Sequence, residues 1–178
     1  MTWSTPQLRL LTPSPQTILH LSRLLMDVVA AGGSVGFMHP VAAAEARAFW
    51  TASLAAAARG ERFIWGAFEG EQLLGTVTLL TAMPPNQPHR AELAKMMTHP
   101  QARGRGVASA LVHEALARAV QEGKTLIVLD TATDEGAGPF YEKLGFTLAG
   151  EIPDFALKPH GGLTGTLFYW KRLAQVEA

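Results

Sequence analysis

The chain has 178 residues, 48% of them hydrophobic and 17% charged, with 15 Lys+Arg against 15 Asp+Glu and no cysteine. Such a composition suits a globular domain that buries a large core without a metal or disulfide staple. Zero net charge argues against a general nucleic-acid or membrane-surface binder, and the lack of cysteine excludes disulfides, thiolate catalysis and cysteine-ligated zinc.

In chain order, Met1-Thr2-Trp3-Ser4-Thr5-Pro6 has no basic region leading into an apolar core, so no leader is expected. Leu8-Arg9-Leu10-Leu11 reads as a short strand. Pro13 and Pro15 break the chain, and Ser14 is placed to cap a helix beginning there. Apolar residues at Ile18, Leu21, Leu24, Leu25, Val28 and Val29 have helical spacing across 16–31, and Gly32-Gly33 stops the run. A second helix is predicted over 41–59, ending at Gly60. Its alanine-rich part is interrupted by Glu45 and Arg47, and no stretch of the chain approaches the ~18 uninterrupted apolar residues of a membrane span.

Residues 63–68 and 73–80 are rich in β-formers and are joined by a short link containing Gly70, which predicts a hairpin. Pro84, Pro85 and Pro88 mark a loop. Residues 91–98 read as a strand ending before Pro100, and 105–122 as a helix with Val107, Leu111, Val112, Leu116, Ala119 and Val120 on one side. Leu126-Ile127-Val128-Leu129 is a continuous apolar run, as in a parallel strand covered on both faces. A short helix over 139–144, stopped by Gly145, precedes strands at 146–149 and 166–171. The order β-α-α-β-β-β-α-β-α-β-β, without a repeat or a long linker, predicts one α/β domain over 1–178 with a mixed sheet. A soluble, cytoplasmic protein is expected.

Between a strand and a helix stands Gln101-Ala102-Arg103-Gly104-Arg105-Gly106-Val107-Ala108. A turn at a helix N-terminus offers unpaired backbone N–H groups, and the helix dipole adds partial positive charge. Gly104 and Gly106 lack a Cβ, so a phosphate can approach the main chain. Arg103 and Arg105 add formal charge. An ordinary glycine turn with solvated arginines has the same spacing. The dinucleotide fingerprint fits worse, because Ser109 occupies the place of its third glycine. Gly123-Lys124-Thr125 mimics the end of a phosphate-binding loop but leads into a strand, and Arg118 stands where that loop requires glycine.

Gln101-x-x-Gly104-x-Gly106 resembles the Gln/Arg-x-x-Gly-x-Gly/Ala signature of the GNAT acetyltransferases, and the order of elements resembles theirs. Phe140-Tyr141-Glu142-Lys143-Leu144-Gly145-Phe146 is similar to a second signature of that superfamily. A closer resemblance to the tabtoxin-resistance acetyltransferases runs through Gly32-Gly33-Ser34-Val35-Gly36-Phe37-Met38, Arg90-Ala91-Glu92, Lys95-x-Met97, Ala102–Gly106 and Leu129-Asp130-Thr131. It implies a GNAT fold: a mixed central sheet of about seven strands with helices on both faces. It also implies acetyl-CoA as co-substrate, no metal, and direct acetyl transfer to a primary amine of a small molecule, for example a β-lactam toxin. Homodimers are common in the superfamily.

The resemblance also assigns residues. The backbone of Met96, Met97 and Thr98 would pair with pantetheine. Gln101, Ala102, Arg103, Gly104, Arg105, Gly106 and Val107 would receive the pyrophosphate, and an N–H near Met97 would stabilise the oxyanion. Met96 and Met97 also read as plain core residues. Tyr141 matches a tyrosine that protonates the departing thiolate; a phenol with pKa about 10 remains a donor at neutral pH. Glu92 and Asp130 match candidate bases for the substrate ammonium, and Asp130 ends a strand where open α/β sheets bind ligands. An ion pair of either with Arg90 or Lys95 is the structural alternative. Asp134 stands where many members carry a cofactor-bonding Asn; ionised Asp accepts but cannot donate. Phe37, Met38 and Trp50 offer an apolar acceptor wall, Trp50 equally a core residue.

Other chemistries fit less well. Gly32-Gly33-Ser34-Val35-Gly36 satisfies the G-x-S-x-G pattern, which needs a preceding strand and finds a helix. His113-Glu114 lacks the second His of a zinc-binding helix, since Ala117 occupies that place. A coenzyme-binding sensor without turnover, and acceptors such as a protein N-terminus, polyamine or aminoglycoside, remain open from sequence. Phe168-Tyr169-Trp170 would line the sheet or a dimer contact.

Overall fold

The computed structural model describes residues 5–174. Helix α1 (Pro15–Ala30) starts where expected, with the Ser14 hydroxyl accepting the Thr17 N–H at 3.0 Å. Helix α2 is Ala43–Ala58, α3 Val107–Gln121 and α4 Gly138–Lys143. The strands are β1 (Gln7–Leu10), β2 (Arg62–Glu69), β3 (Gln72–Leu80), β4 (Arg90–Thr98), β5 (Leu126–Ala132), β6 (Thr147–Leu157) and β7 (Leu163–Arg172). They form one seven-stranded sheet in the order β1-β2-β3-β4-β5-β7-β6. Only β4 and β5 are parallel; every other neighbour pair is antiparallel. The expected α/β fold with a mixed sheet of seven strands is therefore what forms. Among the described residues no helix is long and apolar enough to cross a membrane.

Two apolar layers sandwich the sheet. On one face Leu21, Leu25 and Val29 of α1 and Trp50 and Leu54 of α2 pack on Ile64, Phe68, Leu73 and Met97. On the other, Val107, Leu111, Val112 and Ala115 of α3 pack on Trp65, Val77, Leu79, Ala91, Leu93, Ile127 and Leu129. Trp50 is fully buried, so it belongs to the core and not to a ligand wall.

Helix α3 begins at Val107 rather than 105, because Gly106, at φ 78°, is its left-handed N-cap. The strand predicted at 146–149 continues to Leu157 as β6, with every residue exposed. An exposed edge strand lacks the apolar alternation that marks a buried one, and Pro153 and Asp154 disguise it further. Strand β5 does pair in parallel with β4, but it is not covered on both faces: Ile127 and Leu129 are buried while Leu126 and Val128 are half-buried. The α1–α2 layer packs on β2, β3 and β4, and its core includes no β5 residue.

Helix α3 sits close to the sheet because Gly75 lets it. A Cβ there would lie 2.7 Å from the Met97 carbonyl oxygen and 2.8 Å from Val107 Cγ1. The first neighbour is main chain and cannot yield cheaply. Gly75→Ala should cost about 1–3 kcal/mol, as overpacking does; urea unfolding of the two proteins measures it, and an unchanged midpoint would show that α3 can move away.

Candidate active site

Strands β4 and β5 share only the pairs Arg90↔Leu126, Ala91↔Ile127 and Glu92↔Val128. Beyond Glu92 they share no ladder pair, and a wedge opens between them. Just past that point β4 carries an extra residue: Thr78 of β3 faces Ala94, yet Thr76 faces Met97. Lys95 absorbs the surplus with a left-handed φ of 49°. A bulge of this kind bends the strand and disrupts its ladder. It also reverses the alternation of side chains. Ala91 and Leu93 point into the α3 core, whereas Met97, an even number of residues further on, points into the α1–α2 core. Met96 packs partly against the α3 side. So Met97 is a core residue and Met96 is only partly buried, and both border the wedge.

A cavity of about 640 Å³ lies at the wedge, between the C-terminal end of α1 and the N-terminal end of α3. Met96, Met97, Thr98, Arg103 and Gly104 line it, together with Gly32 and Gly33, Ala108, Phe140 and Tyr141. The turn that leads into α3 is open. Gly104 and Gly106 have φ of 73° and 78°, and a Cβ on either would meet nothing within 4 Å. Gln101, Ala102, Arg105, Gly106 and Val107 shape this turn from outside the cavity lining. Ala102 and Val107 are buried in the core, and Arg105 reaches back to Glu69 at 2.6 Å. Arg103 is thus the arginine on the wedge. Asp134 also lies off the lining, exposed and 3.3 Å from Lys158 Nζ.

A second cavity of about 300 Å³ adjoins the first. Glu92 and Asp130 both line it, on the same face of adjacent parallel strands. Asp130 accepts a hydrogen bond from the Thr166 hydroxyl at 3.0 Å. Glu92 has a loose contact with Arg90, at 3.4 Å. Phe37, Phe155 and Leu157 give apolar walls. Met38 is exposed and does not line this space.

The two cavities share Val35, Met96, Thr131, Glu135 and Tyr141. Tyr141 is 6% exposed and sits edge-on to Phe140 and Phe146, which fix its ring. Burial, followed by the negative charges of Asp130 and Glu135, pushes its pKa up to about 12. The Glu135 carboxylate accepts the Ser34 N–H, tying the α1–α2 loop to the 3-10 turn Thr133–Glu135. Ser34 therefore sits in a loop after a helix, not on a strand-to-helix elbow. Sequence reasoning did not single out Val35, Thr131, Glu135 or Lys95 as site residues; Val35, Lys95 and Thr131 stand within the stretches that carry the closer resemblance, whereas Glu135 had no such signal. A further cavity of about 680 Å³ lies at the far end of β5, lined by His89, Thr125, Leu126, Trp170, Arg172 and Leu173. It contains no carboxylate and none of the residues that line the wedge.

Residues 34–146, which include the turn, both carboxylates and Tyr141, match the family described as "Acetyltransferase (GNAT) family". N-acetyltransferase 8B of Rattus norvegicus is 39% identical over 95 residues, covering 52% of this chain. The match takes in 42% of that rat protein, so the chain spans well under two thirds of its curated relative. The crystal structure of an N-acetyltransferase from Staphylococcus aureus Mu50 superposes with a TM-score of 0.77 at 19% identity, covering 93% of this chain and 98% of that one. A protein from Salmonella typhimurium, solved with its cofactor acetyl-CoA, has a TM-score of 0.74 at 16% identity and covers 98% of both chains. The splayed strands, the open glycine turn and the matched stretch coincide, and the chain belongs to the acetyltransferase (GNAT) family.

Proposed function

We propose that this chain moves the acetyl group of acetyl-CoA directly to the primary amine of a small, amino-acid-like molecule in the cytoplasm. One observation carries the reading: a cavity bordering an anion-ready turn meets a smaller cavity holding the carboxylates of Glu92, Asp130 and Glu135, and the phenol of Tyr141 stands in the shared wall. Main-chain groups of Met96, Met97 and Thr98 lie on the strand edge that β5 leaves, and they suit the amides of pantetheine. The turn from Ala102 to Val107 suits the diphosphate, with Arg103 beside it. The coenzyme supplies an activated thioester.

An amine reaches the site as ammonium, and only its neutral form attacks. Glu92 or Asp130 takes that proton. The amine nitrogen then bonds to the thioester carbonyl, and an N–H near Met97 stabilises the charge on the oxygen. As the carbon–sulfur bond breaks, Tyr141 gives its proton to the thiolate. An acid held near 12 is weak for a thiolate of ordinary pKa about 8.5. The same burial makes the thiolate more basic, which brings the pair closer. With no cysteine in the chain, no thiol carries the acetyl group. The resemblance to tabtoxin-resistance enzymes supports a β-lactam toxin or a related compound as acceptor, and a volume of about 300 Å³ suits a small molecule.

Release of free CoA thiol, followed across a panel of primary amines, tests the reading. Turnover supports transfer; coenzyme binding without turnover for any amine would make the chain a sensor. Tyr141→Phe should lower kcat by roughly 10²–10⁴-fold with little change in acetyl-CoA affinity, the range expected for a positioned acid. An unaltered kcat removes Tyr141 from the mechanism.

The two carboxylates separate by their pH profiles. Loss of the base flattens the acidic limb of kcat/KM, while loss of an ammonium binder raises KM and keeps the limb. Glu92→Gln and Asp130→Asn should therefore behave differently, and two identical profiles would refute a division of labour.

The Tyr141 phenol also links pH to folding. Its folded pKa, about 12, exceeds the ordinary 10, so the stability it contributes is present below 10 and is lost as pH rises towards 12. A spectrophotometric titration with Tyr141→Phe as the difference reference should place its phenolate near 12; ionisation at 10 would show a wetter site.

A further inference from the structure

Lys95 stands in the acceptor cavity and plays no part in the transfer steps. It is one of two non-glycine residues with positive φ among those described, the other being Asp154. A left-handed backbone is unfavourable for a lysine and persists only where surrounding structure over-determines it. Here the bulge sends the side chain towards the α1–α2 face. Its Nζ lies 5.6 Å from the centre of the Phe49 ring and 3.4 Å from where a Cβ on Gly36 would be. Among the described residues the ammonium makes no ion pair and no side-chain hydrogen bond. Glu92 and Asp130 attract it through space, and neither is within ion-pair distance. Burial pulls its pKa down against that attraction.

An ammonium has three donors, and one partly withdrawn from water without an anion to pair with bears a desolvation cost. The cavity thus has two poles. Glu92 and Asp130 suit a cation, Glu135 is already engaged by the Ser34 N–H in the wall shared with the coenzyme cavity, and Lys95 suits an anion. A polyamine or an aminoglycoside would bring more positive charge against Lys95. A molecule with one amine and one carboxylate would satisfy both poles.

We propose that Lys95 is the anchor for a carboxylate on the acceptor, so that the molecule acetylated is a small zwitterion whose amine lies between Glu92 and Asp130 and whose carboxylate pairs with the Lys95 ammonium. This rests on the acetyl-transfer reading and narrows it to a substrate class. Lys95 is a specificity-determining residue that touches the part of the acceptor that does not react.

The test pairs primary amines that differ only at the carboxylate, namely α-amino acids and their carboxamides. Kinetics with acetyl-CoA are measured on the wild type, Lys95→Met and Lys95→Arg. A charge-assisted hydrogen bond is worth about 1.5–3 kcal/mol, which converts to roughly ten- to hundredfold. The wild type should prefer acids over amides by that factor in kcat/KM, mainly through KM. Lys95→Met should abolish the preference, and Lys95→Arg should restore most of it. Thermal melts control for folding, and Lys95→Met should melt no lower, since it removes a half-buried charge. Equal use of acid and amide by the wild type, or a preference that survives in Lys95→Met, overturns the assignment. If no amine is acetylated at all, the transfer reading falls. Calorimetry of the same amino acids with each protein then judges Lys95 alone: binding that Lys95→Met loses upholds the anchor, and no binding, or binding it keeps, refutes it.

Discussion

The parting of β4 from β5 after Glu92 is the constraint on which the site depends. Two parallel strands normally continue their ladder until one ends. Here the extra residue at Lys95 turns β4 out of register with β3, and the ladder to β5 stops within a few residues of it. Main-chain groups on the facing edges are left without strand partners. Buried groups of that kind need partners from somewhere, and a ligand bearing amides can supply them. The two cores make the wedge rigid. Met97 is held in the α1–α2 layer and Leu93 in the α3 layer, one on either side of the bulge. Neither can relax without opening a void in a close-packed interior.

The charges obey the same geometry. A chain of zero net charge has no monopole with which to draw in a ligand, which gives weight to local groupings of charge. They gather where the strands diverge: Glu92 on one, Asp130 on the other, Lys95 on the bulge, and Tyr141 and Glu135 from the connections that cross the opening. Partial burial there makes each charge felt more strongly than it would be on the surface. The raised pKa of Tyr141 and the lowered pKa of Lys95 both have burial as their leading cause, and Asp130 modifies both. A single low-dielectric pocket thus keeps a phenol protonated and makes an ammonium uncomfortable.

Much of this could be read from the sequence, because most elements obey local rules. The helical spacing from Ile18 to Val29, the Ser14 cap and the Gly70 link each specify their element through interactions a few residues long. The turn at 101–106 was legible for the same reason, since the need for glycine at φ above zero is a property of the residue itself. Two things were not legible. The length of β6 was hidden because an exposed edge strand carries no buried face to imprint a pattern. The position of Lys95 was hidden because a lysine midway along a strand ordinarily points to solvent or pairs with a neighbouring acid. Only the count of residues on β3 against β4 reveals the bulge. Val35 and Glu135 likewise come together through tertiary structure, from loops about a hundred residues apart in sequence.

The wall between the two cavities is built from side chains common to both, Met96, Thr131 and Tyr141 among them. A ligand that shifts any of these side chains in one space reshapes the wall of the other. Reciprocity is then a thermodynamic necessity: whatever factor one ligand imposes on the affinity of its neighbour, the neighbour imposes in return. For a two-substrate transferase built on this frame, an acceptor that tightens hold of the donor is also one that the donor helps to capture.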